Sequence, residues 1–156
     1  MSEFPQGFDP HNRASPVTDA WQPLWSRQTN SGVEIGFVVA ACHCNSRGML
    51  HGGVLAALSD NAMGLSLGVM LDRRSFDRPV LQKTKTTGIV TTTLSLDYVG
   101  MSRVGDRIVI SPRVIHVGKG SGVVDALVTS NGATIARASA AFRVLSAGLK
   151  EESSAS

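Results

Sequence analysis

From Asn45 to Asp60 the chain reads Asn-Ser-Arg-Gly-Met-Leu-His-Gly-Gly-Val-Leu-Ala-Ala-Leu-Ser-Asp, a polar, glycine-bearing stretch that turns apolar and then carries one carboxylate. Burying an ionised carboxylate without partners is costly, so a buried Asp60 is either well paired or present for chemistry. Gly52 and Gly53 stand where the apolar run begins. Glycines at a helix start let a ligand approach the backbone closely, and the first N–H groups of a helix have no intrahelical acceptors. With the helix dipole they stabilise a negative oxygen. A carboxylate paired only with a structural donor accounts for Asp60 equally well at this level.

Spacing constrains any joint use of these groups. Eight residues of helix between Gly52 and Asp60 span ~12 Å, so one reacting carbonyl cannot touch both on the same helix. Two antiparallel copies of the helix, related by a two-fold axis, bring Gly52 of one subunit near Asp60 of the other. Joint chemistry therefore requires a dimer, and a two-fold dimer is the commonest oligomer.

The elements that must position these residues are readable in outline. Val54 to Leu71 is long enough for a helix and apolar nearly all round, which predicts burial in the domain centre. Gly64 and Gly68, four residues apart, form a flat strip suited to tight packing. Val33 to Ala41 reads as a strand, and Val90 to Tyr98, Arg107 to Val117, Gly122 to Thr129 and Ala133 to Leu145 read as four more, the last two joined at a Ser130-Asn-Gly132 turn. Residues 1 to about 18 read as a loose arm. Asp19 to Gln28 could form a short helix anchored by Trp21, Leu24 and Trp25, cut to about one turn by Pro23. The expected organisation is an arm over 1–32, one α+β domain over 33–146 with an antiparallel sheet wrapped around a central helix, and a flexible tail over 147–156.

Composition narrows the function classes. A chain of 156 residues, 42% hydrophobic and 17% charged, fits one soluble globular domain. The net charge of +3 suits a small anionic ligand. No Lys/Arg run with interleaved aromatics occurs and aromatics make up 5%, which argues against nucleic-acid binding. The longest apolar run is broken by Ser59-Asp60-Asn61 and is short for a bilayer span, so no membrane anchor is expected. The N-terminus shows neither a basic n-region nor an apolar h-region. Cys42 and Cys44 are too close for a good disulfide and read as free thiols of a reducing, cytoplasmic setting. Cys42-His43-Cys44 with His51 invites a zinc site, but on a strand His43 faces away from both thiols, and no metal is expected.

The pattern Asn45-x-x-Gly48-x-x-His51-Gly52-Gly53 followed by Asp60 resembles the signature of hotdog-fold acyl-CoA thioesterases, of the phenylacetate-pathway and 4-hydroxybenzoyl-CoA thioesterase superfamily. Val90-Thr-Thr-Thr-Leu-Ser-Leu-Asp-Tyr98, Gly105-Asp106, Gly118-Lys-Gly120 and the closing strand also fit, so the resemblance covers roughly 33–145. It implies that Asp60 is the catalytic carboxylate, as nucleophile or as general base on water. It further implies that the N–H of Gly52 or Gly53 forms the oxyanion site, that Asn45 orients the carbonyl or the water, and that His51 holds the turn and could touch substrate. Thr91 falls where such enzymes place a hydroxyl beside the carboxylate, with Thr92 the alternative if the register slips by one.

The same resemblance implies an acyl-CoA substrate, no separate cofactor, and a homodimer or a homotetramer of dimers. Phosphates of CoA need Lys or Arg at the rim, for which Arg73, Arg74, Lys83, Lys85, Arg103 and Lys119 are candidates. Two departures stand out: a long Asp72–Lys85 excursion that could border an acyl pocket, and Val-Gly-Met-Ser after Tyr98 where many relatives carry Pro. A non-catalytic acyl-CoA-binding hotdog module is the alternative. A hotdog dehydratase ranks lower, because His51 lies at the oxyanion turn rather than beside an acid.

Overall fold

A computed structural model describes residues 4–76 and 86–146. The elements are β1 (Asp9–Pro10), α1 (Pro16–Asp19), β2 (Trp25–Gln28), β3 (Val33–Val38), α2 (Gly52–Phe76), β4 (Thr86–Tyr98), β5 (Arg107–Val117), β6 (Ser121–Ser130) and β7 (Ala133–Ser146). The strands form one seven-stranded antiparallel sheet in the order β1-β2-β3-β5-β6-β7-β4, wrapped around α2. This is the expected α+β architecture, with β4 at one edge of the sheet.

The helix is buried on one face only. Leu55, Leu58, Ser59, Ala62, Met63, Ser66 and Leu67 recur at helical spacing and are buried, packing with Phe37, Ile110 and Val124 from the sheet. Ala56, Ala57, Asp60, Asn61, Gly64 and Gly68 lie on a half-exposed face. An apolar helix was expected to be buried all round, and Asp60 with it. In the single chain that face is instead left uncovered. The stretch Gly52–Asp72 has the length and hydropathy of a membrane span, yet here it packs along a sheet.

The N-terminal segment departs most from expectation. Helix occupies only Pro16–Asp19, and Trp25–Gln28 is a strand paired with β3 in the register Trp25↔Gly36. Pro16 is favoured at a helix start, and sheet pairing outweighs the helical spacing of Trp21, Leu24 and Trp25. Nor is the described part of the arm loose. Phe4 is 7% exposed and stacks on Trp25 at 5.1 Å between ring centroids. A Cβ at Gly36 would collide with the Phe4 ring, so glycine there is what admits it. The His11 N–H donates to the Leu24 carbonyl at 2.9 Å.

β3 ends at Val38, short of the expected Ala41, because Ala41–His43 forms a 3₁₀ turn. Cys42 and Cys44 therefore do not share a strand face. His43, 2% exposed, packs edge-on against Phe37. Its Nδ1 accepts the Ala40 N–H at 2.9 Å and its Nε2 donates to the Trp21 carbonyl at 3.3 Å. No group of three or more His, Cys, Asp or Glu side chains that could hold a metal occurs among the described residues.

Burial lowers the pKa of His43, against a weaker opposing effect of the Trp21 carbonyl. Burial and then the Arg13 charge lower that of His11. Both rings take up a proton less readily in the folded chain than in the unfolded one. As pH falls through about 6.5 the unfolded chain binds protons first, so folding stability decreases. The His43 ring resonance should titrate below the usual histidine range, with the melting temperature falling over the same window. A His43 that titrates normally, with a flat melting temperature from pH 7.5 to 5.5, contradicts this.

Candidate active site

The loop before α2 is built from backbone bonds around Asn45. Its Oδ1 accepts the N–H groups of Arg47 (2.9 Å) and Met49 (3.2 Å), while its own N–H donates to the Met49 carbonyl. Gly48 sits at φ +70°, a left-handed conformation that favours glycine. The Leu50 N–H donates to Ser102 and the His51 N–H to His43, fixing the loop to its neighbours. The Asn45 carboxamide oxygen, expected to orient a reacting group, is thus committed to the turn.

At the helix start the two glycines divide their roles. The Gly53 N–H donates to His51 Nδ1 at 2.9 Å, and a Cβ at Gly53 would press on that ring at 3.0 Å. Val54 and Leu55 both donate to the His51 carbonyl. The Gly52 N–H has no hydrogen-bond partner among the described residues. It belongs to the peptide unit whose carbonyl accepts those two bonds, which polarises it further. Gly52 is therefore the better-placed oxyanion donor, and His51 holds the turn.

Two turns along α2, Asp60 Oδ1 accepts a hydrogen bond from Thr91 Oγ1 at 2.7 Å. β4 carries an irregularity against β7 between Thr91 and Thr93. There Thr92 turns its hydroxyl onto the Ala141 carbonyl at 3.0 Å, leaving Thr91 to meet the carboxylate. No partner for Asp60 Oδ2 is found among the described residues. The pair lies in the wall of a cavity of about 530 Å³. A larger depression, about 710 Å³, lies among sheet residues such as Asp97, Asp125 and Arg137, and none of the candidate residues lines it.

Sequence reasoning missed Tyr98, the chain's one tyrosine. Its hydroxyl donates to the Gly52 carbonyl at 2.6 Å, and a Cβ at Gly52 would meet the phenol at 3.2 Å. Residues seven apart on a regular strand face opposite sides. The bulge at Thr92 resets the alternation, so Thr91 and Tyr98 both face α2. Beyond Tyr98, the N–H groups of Val99 and Gly100 both donate to Ile135 O, which proline at either place would forfeit.

The site residues fall into separate groups. Asn45, His51, Gly52, Gly53 and Arg103 lie at the N-terminal end of α2, where Met49 bridges to Arg103. Asp60 and Thr91 lie mid-helix. Lys119 sits in the β5–β6 turn, three residues before Gly122, over which Leu67 of α2 packs. The side chains of Arg73 and Arg74, and Lys83 and Lys85 altogether, lie outside the described residues.

The Thioesterase superfamily profile matches residues 47–136. PA0474 of Pseudomonas aeruginosa, a protein assigned by name as an esterase, is 31% identical over 145 residues, covering 92% of this chain and 99% of its own. The crystal structure of a hypothetical thioesterase protein with coenzyme A from Streptococcus pneumoniae is 20% identical, with a TM-score of 0.67, over 89% of this chain and 96% of that one. A mutant of the phenylacetic acid degradation protein PaaI from Thermus thermophilus is also 20% identical, with a TM-score of 0.68, over 84% and 100%. The chain belongs to the Thioesterase superfamily and has the hotdog fold; its chemistry is of the thioester-hydrolysing kind.

Replacing Tyr98 by Phe removes the bond to Gly52 and nothing else. A loss of about 1 kcal/mol in unfolding free energy is expected, the usual net worth of one hydrogen bond. Partial burial of the half-exposed phenol raises the Tyr98 pKa, so it should ionise above 10 in an absorbance titration, and a normal titration would mean that the ring is fully solvated. Unchanged stability of Tyr98→Phe would mean the bond does not form.

Proposed function

We propose that the protein hydrolyses acyl-CoA thioesters to a free acid and CoA, in sites shared between two subunits. The observation that carries this is the separation of two unfinished half-sites on one helix. Asp60, oriented by Thr91, is ~12 Å of helix away from the free Gly52 N–H. A two-fold partner with its α2 antiparallel supplies the missing half to each.

β4 offers the surface for such pairing. It is an edge strand of 13 residues, and from Val90 to Tyr98 every side chain except Leu96 is exposed. Soluble proteins blunt long edges with Lys, Pro or a covering element. Thr86 to Leu96 contains no charged residue and no proline. An isologous β4–β4 junction would satisfy that edge and set the half-exposed faces of two α2 helices beside each other.

The reaction then runs as follows. Thr91 fixes Asp60 Oδ1, and Oδ2 takes a proton from a water that adds to the thioester carbon. The carbonyl oxygen becomes an oxyanion held by the Gly52 N–H of the partner subunit. Collapse of the adduct breaks the C–S bond and forms the free acid, and the leaving CoA thiolate takes up the proton held on Asp60 Oδ2, which restores the carboxylate. A coenzyme A complex of a fold neighbour supports the choice of CoA as the carrier. Arg103 and Lys119 are the described candidates for its phosphates.

Asp60→Asn removes the base with little change of shape. Gly52→Pro removes the N–H at the helix position where proline is best tolerated, and Gly52→Ala, which sets the same Cβ against the Tyr98 phenol but keeps the N–H, is its control. Asp60→Asn and Gly52→Pro should each fold, shown by the thermal melt, and lose at least ~100-fold in kcat, with Gly52→Ala losing far less. Mixed under subunit exchange, they should recover about a quarter of wild-type activity, since half the dimers are mixed and each has one intact site. No recovery from two folded, exchanging variants would refute the shared site.

A further inference from the structure

The end of β4 and the segment after it hold the oxyanion turn at three points, and no step of the reaction uses them directly. Tyr98 donates its hydroxyl to the Gly52 carbonyl at 2.6 Å. The Ser102 carbonyl accepts the Leu50 N–H at 2.9 Å, and Arg103 bridges to Met49. The segment is itself fastened to the β6–β7 hairpin. Val99 and Gly100 both donate to the Ile135 carbonyl, at 2.8 and 3.0 Å, and the buried Ser102 and Ser130 hydroxyls meet at 2.5 Å. A Cβ at Gly100 would lie 3.0 Å from the Ile135 side chain, so glycine is what lets the segment sit that close.

Of these contacts, the one from Tyr98 reaches the residue that carries the free donor. Glycine is the least restrained residue in φ and ψ, so the direction of the Gly52 N–H is set by what holds the peptide units on either side of it. On one side, the His51 N–H donates to the His43 carbonyl, and the His51 carbonyl accepts Val54 and Leu55. On the other, the Tyr98 hydroxyl holds the Gly52 carbonyl from the sheet. The ring also lies over Gly52, where a Cβ would meet Cζ and the phenol oxygen at 3.2 Å. Tyr98 is 51% exposed, so burial alone does not account for a tyrosine at this place.

We infer that Tyr98 is a positioning residue for the reaction: by holding the Gly52 carbonyl it fixes the direction of the Gly52 N–H, without itself touching substrate. This rests on the shared-site reading of thioester hydrolysis. Within that reading β4 serves two sites at once, Thr91 orienting the Asp60 of one and Tyr98 the Gly52 N–H of the other. The oxyanion exists only once water has added to the carbonyl. A misdirected donor therefore lowers kcat and leaves KM nearly unchanged.

On whichever of acetyl-, octanoyl- and phenylacetyl-CoA the wild type cleaves fastest, Tyr98→Phe should lower kcat about tenfold, less than loss of the donor itself, with KM within about twofold. Mixed dimers then separate positioning from stability. A dimer of an Asp60→Asn chain and a Gly52→Pro chain has one working site, built from Asp60 of the second and Gly52 of the first. Tyr98→Phe added to the Asp60→Asn chain lies beside the working Gly52 and should cut the recovered activity about tenfold. Added to the Gly52→Pro chain it lies beside the blocked one and should cost less than about twofold. Equal losses in both placements would show that Tyr98 acts through stability alone, and no loss in either that it positions nothing; each overturns the inference. If the parent pair, folded and exchanging, recovers no activity, the shared site is wrong and this inference falls with it. Wild type that cleaves none of the three thioesters overturns the hydrolase reading, and the inference again falls with it.

Discussion

The geometry of the site depends on the hydrogen bond from Thr91 Oγ1 to Asp60 Oδ1. It ties the middle of α2 to the long edge strand β4, and it fixes one carboxylate oxygen while leaving the other without a partner among the described residues. Tyr98, farther along the same strand, ties the helix start to β4 through the Gly52 carbonyl. These two hydroxyls place both chemical groups of α2 along the edge where a second subunit would pair. A helix cannot bend its N-terminus back onto a residue two turns in, so the rigidity that positions each group also keeps them apart.

The uncovered face of α2 follows from the same layout. Buried residues repeat every four positions from Leu55 to Leu67, and that stripe is matched by the concave face of the sheet. Small residues and the carboxylate occupy the other side, facing the cavity between α2, β4 and the N-terminal arm. Apolar composition all round the helix reflects two different faces: one packed on the sheet, the other half-exposed in the single chain and carrying Asp60.

Much of this was legible in the sequence because it rests on local signals. Length and periodicity gave the helix, turn chemistry gave the β5–β6 and β6–β7 hairpins, and the Gly-Gly-to-Asp spacing gave the separation of the two groups. What failed depended on distant partners. Trp25–Gln28 is a strand only because β3 lies beside it, and Phe4 is ordered only because Gly36 makes room. Tyr98 was hidden by a bulge that inverts the strand's alternation, a feature no period-two reading anticipates.

The most direct measurement is a crystal structure with a non-hydrolysable acyl-CoA analogue whose carbonyl replaces that of the thioester. The analogue's carbonyl oxygen should lie within hydrogen-bond distance of Gly52 N of one subunit, with its carbonyl carbon facing Asp60 of the other across a β4–β4 junction. A carbonyl that meets Gly52 and Asp60 of the same chain, or meets neither, would contradict it.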